Sequence, residues 1–362
     1  MALRRRRSAF RRYTSIFTVV VALIGFFISS FLRKPKIGLP INNERYIVDL
    51  ESFETIINTK SKDGSHKTVV NQLLSTFIQS SYDDSLSQFL QKSEAKGSTK
   101  IGILQIYIKE TLFWLLQMLL GWARPDASGF VNKASLYVGS RQQIWAVLKP
   151  AHNRKPPQKM IKPQNLLDLG SGSGTETVKL QSVLGIKPKD VTCIEDSFAM
   201  RNKLQLYGFQ TKKSHNELSD TEKFTHVSLL NILDRCDMPH EILSAAIHKL
   251  ETDGIIMLAI VLPFKAKVYI QKRFIKWGKP ASRKPYKPLK LQPKPSYIKG
   301  QNSNTFEIAL IRFVETILLH HPNLELKSWT RMPYVSSGDT HFTHYTIDMA
   351  FMVFSLSESR VG

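Results

Sequence analysis

Residues 165–174 read NLLDLGSGSG, an apolar run that enters a turn containing three glycines. A short apolar run bounded by turn residues predicts a buried strand. The segment that follows, TETVKLQSVLG at 175–185, has helical periodicity and stops at a glycine. In an open parallel sheet, ligands bind beside the carboxyl ends of the strands. This turn is therefore the first candidate for a binding site.

The alternation of strand and helix continues along the chain. Further strands are predicted at 190–196, 225–230, 255–264, 324–330 and 348–354. Further helices are predicted at 198–208, from Pro239 to a point before Gly254, and at roughly 305–320. This order predicts an α/β fold in which an open, mostly parallel, Rossmann-like sheet carries helices on both faces.

The spacing of the glycines indicates which cofactor the turn binds. Gly170, Gly172 and Gly174 are two residues apart, whereas the dinucleotide fingerprint needs its third glycine one place later, where this chain has Thr175. D-x-G-x-G-x-G after a strand is typical of the seven-stranded S-adenosylmethionine-dependent methyltransferases. The glycines let the backbone approach the cofactor, and the Asp168 carboxylate can accept hydrogen bonds from it. A tight turn with no ligand is the alternative interpretation.

Two later strand ends carry polar residues that fit the same cofactor. The second strand ends in CIED, and a carboxylate about twenty residues beyond the glycines is where such a sheet binds ribose hydroxyls. Neighbouring residues on a strand point to opposite sides, so either Glu195 or Asp196 is expected to reach the ribose, and Glu195 is preferred. Asn231 ends the strand at 225–230 and is predicted to face the methyl donor.

The segment NILDRCD at 231–237 places an amide and carboxylates after that strand. Asp234 has two interpretations at this point. It is either a working group beside the ligand or a cap of the helix that begins near Pro239, a position at which Asp is common. Asp237 is the closer of the two carboxylates to that helix.

The basic residues are concentrated in two segments. The formal net charge is +22, and residues 1–36 and 265–299 carry nine and twelve Lys and Arg with no acid. A nucleic-acid enzyme more often carries its basic surface on the folded core, so no nucleic acid is expected as a partner. Prolines and charge predict that 265–299 is a solvated loop, with attraction to an anionic membrane or acidic substrate as the alternative.

The amino terminus contains a candidate membrane segment. Residues 14–32, TSIFTVVVALIGFFISSFL, have no charged residue and lie between six Arg and the sequence RKPK. This length just suffices to cross a hydrocarbon core. Residues 1–36 are therefore predicted to be a basic leader and membrane anchor, with the endoplasmic reticulum membrane as the location. A mitochondrial presequence is the alternative, because an Arg-rich leader without acids also fits one.

The remainder of the chain is predicted to have two parts, a helical lead-in at 37–150 and the methyltransferase domain at 151–362. Within the lead-in, TLFWLLQMLLGWA at 111–123 is too short to cross a membrane and predicts a buried helix. Cys193 and Cys236 are the only cysteines, which excludes a disulfide framework and a zinc site by number. No metal is predicted, and both cysteines are interpreted as small buried apolar residues.

Five motifs give the chain a specific resemblance: LLDLGSGSG, LLNILDRCDMP, LAIVLPF, IKGQN and TRMPYVSSGD. Together they resemble the DREV family of protein-L-histidine N-pros-methyltransferases over roughly residues 130–355. The resemblance implies that S-adenosylmethionine is the methyl donor and that the pros nitrogen of histidine is methylated in protein substrates with His-x-His motifs. It also implies that Glu195, Asn231 and Tyr334 contact the cofactor and that Asp234 contacts the substrate.

The segment 265–299 departs from that family because it is longer and more basic than the resemblance implies. The substrate range is therefore open, and two other functions are retained. One is methylation of a small molecule or lipid at a membrane. The other is a catalytically inactive binding protein that keeps the cofactor fold. The oligomeric state has no signature in the sequence.

Overall fold

The structure is a computed structural model that describes residues 34–41, 43–58, 64–122, 124–133, 135–152, 164–264 and 305–357. The predicted membrane segment 14–32 and the predicted basic loop 265–299 lie outside these residues. Of the helices within them, none combines the length and the apolar character needed to cross a bilayer.

The described residues form eight strands and ten α-helices. The strands are β1 (Leu136–Tyr137), β2 (Leu166–Leu169), β3 (Val191–Ile194), β4 (Gln210–Lys212), β5 (Phe224–Leu230), β6 (Leu250–Val261), β7 (Leu324–Ser337) and β8 (His344–Leu356). The helices are α1 (Leu50–Asn58), α2 (Gly64–Thr76), α3 (Asp84–Ser98), α4 (Lys100–Leu119), α5 (Arg124–Val131), α6 (Arg141–His152), α7 (Thr175–Leu184), α8 (Phe198–Leu206), α9 (Pro239–Lys249) and α10 (Phe306–His320).

All eight strands join one sheet in the order β1-β7-β8-β6-β5-β2-β3-β4. Five neighbouring strands, β6, β5, β2, β3 and β4, are parallel to one another. Strand β8 is antiparallel to β6 and β7, and β1 is antiparallel to β7. The predicted number of seven strands was wrong by one. Six strands were placed from the sequence, and β1 and β4 were missed because they have two and three residues, too few to show a strand period in the sequence.

The strand order reverses between β2 and β5, which are neighbours in the sheet although α7, β3, α8 and β4 separate them in the chain. Asp168 of β2 lies beside Ser228 of β5, so the loops that follow both strands leave the sheet at the same edge. Such a reversal is where open α/β sheets bind their ligands. The glycine turn and the segment 231–237 are therefore brought to one place by topology alone.

Helices cover both faces of the sheet, as the sequence predicts. Adjacent residues of β2 point to opposite faces: Leu167 belongs to the buried cluster that contains Phe313 of α10, and Leu166 belongs to the cluster that contains Leu180 of α7. All four residues of β2 are buried. A strand buried on both faces needs a continuous apolar run, which explains why this segment was legible in the sequence.

The lead-in packs on the sheet through α2 and the loop after it. The indole N–H of Trp329 in β7 donates a hydrogen bond to the Leu73 carbonyl over 2.7 Å, and the Phe77 ring lies 4.8 Å from the Trp329 ring. Trp329 is fully buried. These contacts fix the lead-in to the far side of the strand that carries Tyr334.

The prediction of a buried helix at 111–123 was wrong. This run is the carboxyl-terminal half of α4 and the turn after it, and of its residues 111–122, which the structure describes, only Phe113 and Leu116 are buried. Trp114, Leu119 and Leu120 are at least 60% exposed. The prediction failed because an apolar composition does not show whether other residues pack on every side of a helix. Here, one side has no packing partner among the described residues.

Candidate active site

The glycine turn after β2 adopts a backbone conformation that only glycine accepts readily. Gly170, Gly172 and Gly174 have φ of +77°, +55° and +82°. A Cβ on Gly170 would lie 2.6 Å from Cδ1 of Ile232, whereas a Cβ on Gly172 would meet no atom within 4 Å. Gly170 therefore lets the turn pack against segment 231–237. Gly172 leaves an open space over the turn, where a ligand can approach the backbone.

The Glu195 carboxylate lies against this turn. One oxygen accepts a hydrogen bond from the Gly172 amide over 2.8 Å, and the other accepts from the Ser197 amide over 2.9 Å. Asp196, the competing residue, is exposed. Burial raises the pKa of Glu195, and the hydrogen bonds from Ser197 and Gly172 act to lower the pKa. The structure thus brings Glu195, and not Asp196, to the glycines.

Asp168 lies beneath the turn and is buried. Its carboxylate accepts hydrogen bonds from the hydroxyls of Thr177 at 2.5 Å and Ser228 at 2.6 Å, and the Ser171 hydroxyl donates to its carbonyl oxygen. Burial raises the pKa of Asp168, and the three hydroxyls oppose that rise. The carboxylate therefore ties α7 and β5 to β2. The predicted contact between Asp168 and the cofactor stays a prediction.

Asn231 is the first residue after β5. Its backbone is strained, and its side-chain amide is only partly hydrogen-bonded. Its φ is +54°, which is uncommon for a residue with a side chain, and it is buried. Its backbone N–H donates to the Ala259 carbonyl over 2.9 Å, and its amide nitrogen is 3.4 Å from the sulfur of Met349. Its amide oxygen is buried and has no hydrogen-bond partner among the described residues. An unsatisfied buried acceptor is costly unless a ligand supplies the donor.

Asp234, Arg235 and Tyr334 form a connected group beside Asn231. Asp234 is buried, and its carboxylate lies 3.6 Å from Nε of Arg235. The same guanidinium donates to the Tyr334 hydroxyl over 3.2 Å and lies 5.4 Å from the centre of the Tyr334 ring. Arg235 therefore connects the loop after β5 to the end of β7.

The capping interpretation of this loop fails. Met238 is the N-cap of α9 and makes no side-chain cap hydrogen bond, and Pro239 occupies the first turn. Asp234 is turned into the protein and Asp237 is half-buried. Helix capping therefore does not explain why the Asp234 carboxylate is buried.

Burial raises the pKa of Tyr334, while the charge of Arg235 and its hydrogen bond act to lower the pKa and the charges of Asp234 and Glu176 act to raise it. The phenol is therefore neutral near pH 7 and keeps its proton. Glu176, in the first turn of α7, is ion-paired with Lys179 at 2.8 Å. The site thus places two carboxylates, Asp234 and Glu176, and the Arg235 guanidinium near a buried phenol.

Reasoning from the sequence missed Arg235 and Ser197. Arg235 lies inside the motif NILDRCD, but its direction is set by the turn at 232–235, which has no sequence period. Ser197 donates its amide to Glu195 and is also the N-cap of α8, with its hydroxyl 3.3 Å from the Met200 amide. Ser immediately before a helical period is a legible cap signal, so Ser197 could have been found.

Two observations show that these residues fit S-adenosylmethionine. The open space over Gly172 allows backbone contact, and Glu195 lies beside it with acceptor oxygens that retain further lone pairs. On the other side, the amide oxygen of Asn231 needs a donor. Acceptors on both sides suit a ligand with ribose hydroxyls and a cationic amino-acid end.

A family model described as DREV methyltransferase matches residues 64–356 of this chain. Among solved structures, a chain of the complex between the Haloferax volcanii Trm112 methyltransferase activator and a methyltransferase is 19% identical over 38% of this chain and 61% of that chain, with a TM-score of 0.28. Streptomyces venezuelae DesVI is 17% identical over 34% and 51%, with a TM-score of 0.26.

A variant of LepI in complex with SAH and a substrate analogue is 14% identical over 67% of this chain and 54% of that chain, with a TM-score of 0.39. This chain therefore spans less than two thirds of the length of each of these three structures. The match to the family covers most of the chain, including every predicted site residue.

Proposed function

This chain belongs to the DREV methyltransferase family, and from that premise we propose that it methylates the pros nitrogen of histidine in protein substrates with His-x-His motifs. Membership of this methyltransferase family confirms S-adenosylmethionine, the cofactor predicted from the glycine turn, as the methyl donor. The acceptor is the proposed part of this function: a histidine within a His-x-His motif whose middle residue, x, is small, as the family resemblance implies.

The residues that would hold the cofactor are those of the glycine turn, Glu195, Asn231 and Tyr334. The bound cofactor supplies an electrophilic methyl group on a sulfonium. Glu195 accepts hydrogen bonds from hydroxyls without moving, because the amides of Gly172 and Ser197 already fix its position. Asn231 offers its amide oxygen to a donor. Tyr334 offers a neutral phenol whose orientation is held by Arg235.

The single observation that carries the proposal is the buried carboxylate of Asp234 beside this site. A neutral imidazole has one protonated nitrogen and one with a lone pair, and only the latter can accept a methyl group. A carboxylate that accepts a hydrogen bond from the tele N–H keeps the proton there. The pros nitrogen then carries the lone pair, and the carboxylate stabilises the imidazolium that forms.

Arg235 contributes to this role by its position. Its guanidinium is ion-paired with the Asp234 carboxylate at 3.6 Å. The same guanidinium is tied to the Tyr334 phenol, so the carboxylate and the phenol are held on one support. Arg235 thereby holds the Asp234 carboxylate in position beside the Tyr334 phenol.

The test uses the purified full chain, labelled S-adenosylmethionine and two peptides that differ at one residue, His-x-His and Ala-x-His with the same small x. We expect label in the first peptide only, and amino-acid analysis of the hydrolysed product should give pros-methylhistidine. Cofactor binding with no label in either peptide would instead favour a small-molecule or lipid methyltransferase, or an inactive binding protein. The tele isomer would overturn the role of Asp234.

The location of the chain is a further part of the proposal. The uncharged length of 14–32, flanked by basic residues, supports an anchor in the endoplasmic reticulum membrane. Methylation would then take place on substrates that reach the membrane. Import of the full chain into isolated microsomes and into isolated mitochondria distinguishes this from the presequence alternative, which predicts a shortened mitochondrial product.

A further inference from the structure

Helix α4 presents an apolar face to solvent along its whole length. The residues of this face are spaced three or four apart and are Ile101, Leu104, Ile108, Leu112, Leu115 and Leu119. Five of the six are exposed, and Ile101 and Leu119, at the two ends, are 72% and 64% exposed. At 1.5 Å per residue the α4 apolar face is about 27 Å long. Scattered exposed apolar residues are ordinary, but a continuous row of this length marks an interaction surface.

The opposite side of α4 is packed, so the helix has a defined orientation. Phe113 and Leu116 form a small buried cluster with Ala127 and Val131 of α5. The N-terminus of α4 is also fixed, because the Thr99 hydroxyl accepts a hydrogen bond from the Gly102 amide over 3.2 Å. The α4 apolar face therefore points away from the part of the protein that the structure describes.

Exposed basic residues lie near the start of the α4 apolar face. Lys92, Lys96 and Lys100 are four residues apart, exposed, and lie at the end where α4 begins. The acid within α4 is Glu110, and it is ion-paired with Lys133 at 2.8 Å. An apolar face with a basic border is the pattern of helices that lie in the surface of an anionic membrane.

The described chain begins beside this same end of α4. A Cβ on Gly97, two residues before the N-cap of α4, would lie 3.4 Å from Pro35, and Lys36 is paired with Phe342. The uncharged segment 14–32 ends three residues before Pro35. Three residues span at most about 10 Å. An anchor at 14–32 therefore brings a bilayer surface to the start of the α4 apolar face.

We propose that the α4 apolar face lies in the surface of the bilayer that residues 14–32 enter, with Lys92, Lys96 and Lys100 toward anionic headgroups. This inference rests on the proposed anchor and adds a second, non-spanning contact. Like the other described helices, α4 lacks the combination of length and apolar character that a membrane span needs. A row of exposed aliphatic side chains next to exposed lysines suits the surface of an anionic bilayer.

The contact would fix the height of the active site above the membrane. Helix α5, which packs on the buried side of α4, reaches the site through Asp126, whose carboxylate accepts from the Ser197 hydroxyl over 2.6 Å. Ser197 in turn donates its amide to Glu195. The proposed membrane contact is thus joined to Glu195 by the apolar packing of α4 on α5 and by the hydrogen bonds of Asp126 and Ser197.

The test places a polarity-sensitive fluorophore on the full chain at Leu112→Cys, and at Leu319→Cys as the control. Leu319 is an exposed leucine, 66% exposed, on α10. The background carries Cys236→Ala, and Cys193 is buried. The chain is reconstituted into vesicles of phosphatidylcholine and phosphatidylserine, floated to confirm the anchor, and quenched with nitroxide-bearing lipids or with aqueous iodide.

We expect lipid nitroxides to quench the Leu112 label several-fold more than the Leu319 label, at a depth of about 5–10 Å below the headgroups. A Leu112 label that iodide quenches as readily as the Leu319 label would overturn the proposal. So would a Leu112 label shielded from both quenchers, which would mean that a second copy or residues 14–32 cover the face. Failure to float would remove the anchor and this contact together, while peptide methylation would be unaffected.

Discussion

The two sides of the candidate active site differ in how completely their polar groups are bonded. On one side, Glu195 and Asp168 have all their carboxylate oxygens engaged by amides and hydroxyls of the protein. On the other side, the amide oxygen of Asn231 is buried without a partner among the described residues, and its backbone is strained. The first side is preorganised around one constant ligand. The second side has a buried acceptor without a donor, and we expect a ligand to supply that donor.

The largest effect is expected where the bonded side meets open space, at Gly172. Gly172→Val should abolish cofactor binding measured by calorimetry, because a branched side chain fills the space over the turn and a positive φ is strained for it. Unchanged affinity would show that the cofactor does not approach this turn.

The chain offers a matched control for that variant. Gly185 also has a positive φ, +67°, and a Cβ there would also meet no atom within 4 Å, but it ends α7 away from the turn. Gly185→Val should impose a similar backbone strain and leave cofactor affinity intact. Comparing the melting temperatures of the two variants separates lost binding from lost stability.

A smaller effect is expected at Glu195. Glu195→Ala removes an acceptor for the ribose and also the support of the Gly172 amide, so cofactor affinity should fall by about 10- to 100-fold, the range for a hydrogen bond to a charged group. Asp196→Ala is the control, because that side chain is exposed and does not reach the turn through the contacts described. The reverse ranking of the two variants in a calorimetric titration would mean that Asp196 binds the ribose.

The smallest effect is expected at Tyr334. Tyr334→Phe keeps the buried ring and removes one neutral hydroxyl, so cofactor affinity should fall by about 2- to 10-fold. The melting temperature without ligand should change little, because the hydroxyl accepts its hydrogen bond from Arg235, which is half-buried and stays accessible to water. A drop in melting temperature with normal affinity would assign Tyr334 to packing alone.

The bonded side could be predicted from the sequence, and the reason is local. The turn 170–174 and the acid at 195 each follow a buried strand, so strand period, glycine spacing and strand ends place them. The alternation of side chains along a strand predicted that only one of Glu195 and Asp196 reaches this side, but it did not decide which one. The role of Asp168 as a tie between β2, α7 and β5 was not visible, because it depends on hydroxyls from two other elements.

The other side could be predicted only in part. Asn231, Asp234 and Tyr334 were indicated by resemblance more than by pattern, and Arg235, which connects the last two, was missed. Tyr334 reaches the site from β7, about a hundred residues along the chain from Asp234. Neither the left-handed backbone of Asn231 nor the absence of a side-chain cap on α9 has a sequence period. Tertiary structure decided these features.

The most direct test of the account is single-turnover methylation of a His-x-His peptide by Asp234→Asn, with Asp237→Asn as the matched control. Asparagine keeps the shape but loses the charge that holds the tele proton and stabilises the imidazolium. We expect turnover to fall by ~10²-fold or more for Asp234→Asn, with cofactor affinity and melting temperature near normal. Asp237→Asn should stay active. An active Asp234→Asn variant, or one that fails to fold, would contradict the central claim.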